Sequence, residues 1–233
     1  MGLFSRRRDD DTSESSNPDD AASEAPAETG TGPWDVADAP DRPGSVGRID
    51  LGSLRVPAVD GMQIRLENPG GAGQEISAAV LVLAGSTLEL RAFAAPRTIG
   101  IWEELREDIT AELTRAKARF EVEDGEHGPE ILAHVPVRTP DGREGTVAAR
   151  FIGVDGPRWF LRGVLQGPAA TDEAASQVLR DVFADIVVVR DGAARPPREI
   201  LPLHAPGIVS APAAEDLPGL EPLEPGPTIA EVR

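Results

Sequence analysis

The feature that most constrains this chain is its punctuation. Between residues 46 and 204, turn-forming groups recur at short intervals: Asp60-Gly61, Pro69-Gly70-Gly71, Ala84-Gly85-Ser86, Pro140-Asp141-Gly142 and Val154-Asp155-Gly156-Pro157. Such groups supply the fixed or positive φ that tight turns need, so the elements between them are short. Several of these pieces alternate apolar and polar residues, the period of a half-buried strand. Strands are expected over residues 48–57 and 62–67, paired as a hairpin across Asp60-Gly61. Further pairs are expected over 76–83 with 87–94, 120–123 with 131–137, and 146–152 with 158–165.

Two stretches have the helical period instead. Trp102, Leu105, Ile109, Leu113, Ala116 and Phe120 recur at spacings of three and four, with Thr98 as the expected N-cap. The polar face is acidic early (Glu103, Glu104, Glu107, Asp108) and basic late (Arg115, Lys117, Arg119), which complements the helix dipole. The second helix starts at Thr171-Asp172 and carries Ala175, Val178, Leu179, Val182, Phe183 and Ile186 on one face; a final strand is expected over 186–189. The expected fold is α+β, an antiparallel sheet covered by two amphipathic helices on one side.

The two halves, 46–118 and 119–204, share an order of breaks. Pro69 aligns with Pro140 at an offset of 71, and Pro96 with Pro168 at 72. Two readings stand: a tandem duplication of a ββββα unit, or the general habit of proline to sit at strand ends and helix starts.

Charge divides the chain differently. The net charge is −17, from 40 acidic and 23 basic residues. Residues 1–45 hold 11 acidic and 4 basic residues, and residues 205–233 hold 5 and 1. Both ends are rich in Pro, Ala, Ser or Gly and poor in large apolar residues. They cannot bury enough surface to offset their ordering entropy, so the expectation is a disordered acidic arm (1–45), a folded domain (46–204) and a disordered acidic, Pro-rich tail (205–233). An acidic chain lacks the basic surface that phosphate backbones and anionic lipid require, so neither nucleic acid nor membrane is expected as a partner. No apolar run approaches the roughly 18 residues of a membrane span, and the three arginines near the start precede no apolar signal region. The expected location is cytoplasmic.

The same composition narrows the chemistry. Cysteine is absent, which removes disulfides, thiolate metal sites and thiol nucleophiles. The histidines are three: His127, His134 and His204. Gly70-Gly71-Ala72-Gly73 lacks the Lys-Ser/Thr of a phosphate loop, and Gly85-Ser86 lacks the frame of a nucleophile elbow. No catalytic set, cofactor motif or metal set is found.

Several blocks together resemble a known family: Gly32-Pro33-Trp34-Asp35, Asp50-Leu51-Gly52-Ser53-Leu54, Ala92-Phe93-Ala94-Ala95-Pro96-Arg97, the stretch from Val154 to Gly163, and Pro196-Pro197-Arg198 with Leu201-Pro202-Leu203. Over roughly residues 32–204 the chain resembles an actinobacterial domain-of-unknown-function family, family thirty-seven ten. The resemblance implies no activity.

Three constellations are candidates for function. In the predicted strand 158–165, alternation puts Arg158, Phe160 and Arg162 on one face and Trp159 and Leu161 on the other. The two arginines, about 13 Å apart on an extended strand, read first as structural, paired with Glu or Asp on the helix face; as a functional pair they suit a longer acidic partner. Arg91 and Arg97 would extend this face. Trp34, alone in a polar arm, is a candidate docking aromatic, into the fold's own groove or into a partner's. The cluster Glu121, Glu123, Asp124, Glu126, His127, Glu130 and His134 reads as a solvated acidic loop, with a weak divalent-cation site as the alternative. The expected function is a non-catalytic interaction or regulatory module with a protein partner. The alternative is an enzyme or binding protein for a small phosphate-bearing or nucleotide ligand.

Overall fold

The computed structural model describes residues 32–40, 47–68, 75–97, 100–138 and 142–207. The expected disorder of 1–31 and 208–233, the break at Pro69-Gly70-Gly71, and the roles given to Thr98, Pro140 and Asp141 lie outside those residues.

The stretch 32–40, expected within the N-terminal arm, carries a short strand, β1 (Trp34–Asp35). It is followed by β2 (Arg48–Asp50), β3 (Leu54–Pro57), β4 (Gln63–Glu67), β5 (Ala78–Leu83) and β6 (Ser86–Ala94). Helix α1 (Ile101–Arg115) leads to β7 (Arg119–Gly125), β8 (Gly128–Arg138), β9 (Glu144–Gly156) and β10 (Trp159–Gln166). A 3-10 turn, helix α2 (Glu173–Ala184) and β11 (Val187–Val188) complete the order.

Seven strands form one antiparallel sheet in the order β4-β5-β6-β10-β9-β8-β7. Four short strands form a second sheet, β1-β11-β3-β2, in which β1 runs parallel to β11 and the other neighbours are antiparallel. The hairpin expected across Asp60-Gly61 does not form. β3 pairs with β2 and β11, whereas β4 pairs with β5, so the turn carries the chain from one sheet to the other. The expected strand 48–57 is itself broken by a turn at Gly52, which lies at φ +91°, where Leu51 N–H donates to the Leu54 carbonyl at 2.9 Å. A left-handed glycine there lets the chain reverse within three residues.

Alternation along the central strands separates two cores. On one face, Leu88 and Leu90 of β6, Trp159, Leu161 and Leu165 of β10, and Ile152 of β9 pack with Leu179, Val182 and Phe183 of α2 and with Leu54, Val56 and Val188 of the small sheet. On the other face, Phe160, Ile131 and Ala133 pack with Ile101, Trp102 and Leu113 of α1. Phe160 stacks between Phe93 and Trp102, with ring centroids 5.8 and 5.9 Å away. The two helices therefore lie on opposite faces of the sheet, not on one side as expected. An apolar stripe fixes which side of a helix is buried; it carries no information about which face of the sheet receives it.

This placement bears on the proposed repeat. β6 and β10 are antiparallel neighbours at the centre of the sheet. A pseudo-twofold normal to the sheet would relate them, but such an axis maps each face onto itself and would put both helices on the same face. The helices do not follow it. The first half also gives the large sheet three strands where the second gives four.

Helix α1 is shorter than its stripe. It ends at Arg115; Lys117 adopts φ +54° and Phe120 belongs to β7, so Lys117 and Arg119 are not its last turn. Its N-cap residue is Gly100, which offers no side chain. The cap comes instead from β9: Asp155 accepts from Trp102 N–H at 3.2 and 3.3 Å. In α2 the expected start holds, and Asp172 accepts from Ala175 N–H at 2.8 Å. Val178 is exposed on α2's outer face and not in the core.

Candidate functional site

β9 and β10 are joined by a turn, and that turn decides where the predicted arginine face lies. Arg158 sits in it at φ +68°, one residue before β10 begins. It is exposed and out of the strand's alternation, so it does not share a face with Arg162, contrary to the expectation. Positive φ at a non-glycine residue is uncommon, and nothing in the alternation signals it. Arg97 is exposed in the bend after β6. Trp159 and Leu161 point into the α2-side core as expected, but Phe160 is equally buried on the α1 side.

The structure does bring Arg162 and Arg91 together. They are register partners on β10 and β6. Like charges directly opposite one another repel, and a single carboxylate holds them. Glu89 Oε1 accepts from Arg91 Nε at 2.8 Å and from Arg162 Nη2 at 3.0 Å. Arg162 also lies 5.9 Å from the centre of the Phe93 ring, a cation–π distance. Two cations share one anion, so the cluster keeps one positive charge. The Arg162 Nε atom is buried with no partner among the described residues. Burial lowers the Arg162 guanidinium from its usual value, and Glu89 opposes the shift.

This cluster sits where the cover of α1 ends. α1 packs on β7, β8 and β9, and Trp102 lies over Gly153, the register partner of Arg162 on β9. One row across the same face reads Arg65, Val80, Glu89, Val164 and Phe151. Beyond β6 the face carries exposed Gln63, Arg65 and Glu67 on β4 and half-buried Val80 and Val82 on β5. It is a half-open sheet surface.

The acidic cluster is not a solvated loop throughout. Glu130 is 1% exposed. Arg180 on α2 grips it with two bonds of 2.7 Å, and Arg150 on β9 adds a contact of 3.4 Å. Arg150 also donates to Glu123 at 2.7 Å and to the Ala170 carbonyl at 3.0 Å. The hydrogen bonds to Glu130 raise the Arg180 guanidinium above its usual value. The sequence signal for this cluster was the acidic half only; its cations lie 20 and 50 residues downstream. These side chains line a polar cleft of about 480 Å³, but their charges are mutually spent. His127, nearby, packs on Phe183 at 5.3 Å with its Nε2 buried, and burial pushes its imidazole below the usual value. Among the described residues no three His, Asp or Glu side chains are grouped to hold a metal ion.

Trp34 lies in β1, half-buried, with its backbone N–H donating to the Ile186 carbonyl at 2.8 Å. Its neighbour Asp35 accepts from Trp159 Nε1 at 2.8 Å.

The chain belongs to a family described as a protein of unknown function, DUF3710, whose model matches residues 32–211. No curated protein matches it. Among solved structures, the solution structure of cyanobacterial PsbP (CyanoP) from Synechocystis is 14% identical, with a TM-score of 0.35; the match covers 64% of this chain and 98% of that one. Among the described residues no helix is long and apolar enough to cross a membrane.

Proposed function

We propose that this member of the DUF3710 family is a cytoplasmic, non-catalytic protein-interaction module that binds an acidic partner segment on the half-open face of the large sheet. The observation that carries the reading is the shared Glu89: one carboxylate between Arg91 and Arg162 leaves a positive charge on a half-open face of a chain whose net charge is −17. Arg65, exposed on β4, extends the basic side of the face. Complementary potential mainly sets which partner docks and how fast. A half-open sheet face with one residual charge suits an extended protein segment. A phosphate-bearing small molecule would need donors converging in a pocket, and among the described residues these arginines line neither of the two cavities of about 560 and 480 Å³.

The test uses two variants. Arg65→Glu reverses an exposed charge that is in no ion pair among the described residues, and it should leave the fold intact. Arg91→Gln with Arg162→Gln removes the central charge. Proteins captured by wild type from native lysate and lost with both variants, at unchanged melting temperature for Arg65→Glu, support the reading. Equal capture by all three forms sinks it. So does saturable binding of pyrophosphate that depends on Arg91 and Arg162, which would favour the small-ligand alternative.

A further inference from the structure

We propose that the cavity between the small sheet and the segment that follows β11 binds a small, largely apolar ligand carrying an amine. The cavity is about 560 Å³, within the range of small-molecule sites. Its apolar wall includes Val189, Leu201 and Leu203; its polar groups include Asp50, Asp191 and His204.

The wall is held in place before any ligand arrives. Leu201 N–H donates to the Ala92 carbonyl at 2.8 Å, Leu203 N–H to Ile76 at 3.0 Å, and His204 N–H to Leu51 at 2.9 Å. Ser53 Oγ reaches the Leu201 carbonyl at 3.3 Å. Three residues, Leu201, Leu203 and His204, are thus tied to β6, to the segment just before β5 and to the β2–β3 turn. A preorganised wall spares the ligand the cost of ordering it.

Gly52 fixes the position of the imidazole. A Cβ at Gly52 would stand 2.9 Å from His204 Cδ2 and 3.3 Å from Nε2, and the residue's φ of +91° already favours glycine. His204 Nδ1 lies 2.9 Å from the Ala205 carbonyl. A carbonyl only accepts, so in the neutral ring Nδ1 carries the hydrogen and Nε2 presents its lone pair. Asp50 spends one carboxylate oxygen on Gly52 N–H at 2.8 Å; the other is 3.9 Å from Arg55, too far for a hydrogen bond. Asp191 is engaged by Arg195 at 2.8 Å, and Arg195 is shared with Glu199 at 2.7 Å. The side-chain groups left unspent at the wall are therefore acceptors. They suit a ligand that donates, and Asp50 favours one that is cationic. A phosphate or carboxylate ligand would meet acceptors at both open positions, Asp50 Oδ2 and His204 Nε2, so this cavity and the arginine face select opposite ligands.

The test is a titration of the full chain followed by amide NMR, with phenethylamine as probe and 3-phenylpropanoate as its anionic counterpart. Phenethylamine should shift the amides of Gly52, Ser53 and His204 saturably, with a Kd of about 1 mM, a reasonable value for a probe this small. The carboxylate should not. Asp50→Asn keeps the acceptor for Gly52 N–H, so it should fold, yet bind the amine at least about fivefold more weakly, as one lost ion pair predicts. A second variant, His204→Phe, keeps the ring and removes Nε2, and should weaken the amine as well. Absence of saturable shifts at these amides, equal binding of amine and carboxylate, or unchanged affinity in both variants overturns the proposal.

Discussion

Glu130 and Arg180 are joined by two hydrogen bonds of 2.7 Å, with the carboxylate side chain only 2% exposed. The pair ties the start of β8 to the middle of α2, and Arg150 makes it a three-residue cluster. Bringing these charges out of water is costly, and the fork geometry of Arg180 recovers the cost only while every partner is present.

Removing one partner should therefore be far worse than removing the charge pattern as a whole. Glu130→Ala leaves the part-buried Arg180 without its carboxylate, while Arg150 keeps Glu123, and should cost about 3–5 kcal/mol in urea unfolding. The double change Glu130→Leu with Arg180→Met should cost clearly less than Glu130→Ala alone. A Glu130→Ala loss below about 1 kcal/mol, the level of a surface pair, would mean that water reaches the cluster.

Asp155 supplies the cap that Gly100 cannot, from 53 residues away. Asp155→Ala leaves the first N–H groups of α1 without an acceptor and should cost about 1–3 kcal/mol, whereas Asp155→Asn keeps an acceptor and should cost less. The pH dependence has a definite sign. Burial raises the Asp155 carboxyl above its usual 3.8, while Trp102 and Ile101 N–H oppose the shift. A carboxyl raised on folding adds stability that is complete below the unfolded value and is lost as pH rises through the folded one. Wild type should therefore gain on Asp155→Asn as pH falls towards 3.8, measured by paired melts across that window.

How much of this was legible in the sequence follows from range. Strand pairs closed by short turns, such as 120–123 with 131–137, are read from local alternation and appear as β7 and β8. The start of α2 is read from Asp172, whose cap bond spans three residues. What failed depends on distant partners. The acidic half of the Glu130 cluster is contiguous, so it looks solvated; nothing local marks Arg150 and Arg180 as its cations. The α1 cap comes from Asp155 on another strand, and nothing local marks it. Residues 48–57 and 62–67 both alternate, but alternation does not name a partner strand, and the two join different sheets.

His127 gives a second pH signature, of the same origin and opposite sign. Burial against Phe183 pushes its imidazole below 6.5, with Glu126 and Glu130 raising it and Arg180 lowering it. The unfolded chain takes up the proton first, so stability falls as pH drops through 6.5 towards the folded value. His127→Phe keeps an aromatic ring against Phe183 and removes the titrating group. Its melting temperature should hold up better than that of wild type between about pH 7 and about pH 5. Parallel decline of the two forms would show that other groups set the acid limit.

The contact between Asp35 and Trp159 tests whether the segment 32–40 is part of the fold or merely lies on it. Trp159 is 1% exposed, and its indole N–H has Asp35 as acceptor at 2.8 Å. A buried indole N–H needs a partner. Asp35→Ala should therefore cost about 1–3 kcal/mol, more than its position near the chain's edge would suggest. Trp159→Phe removes the donor and has a packing cost of its own. In the Trp159→Phe background, Asp35→Ala should cost markedly less, because no donor is left stranded. The coupling from this double-mutant cycle should reach about 0.5–3 kcal/mol, as for residues in one hydrogen-bond network. A coupling near zero would mean that the segment is held by the β1–β11 pairing alone, through the Trp34 N–H bond to Ile186. In that case changes at Trp34 and Asp35 should leave global unfolding unchanged, and only the amide exchange of β1 and β11 should respond.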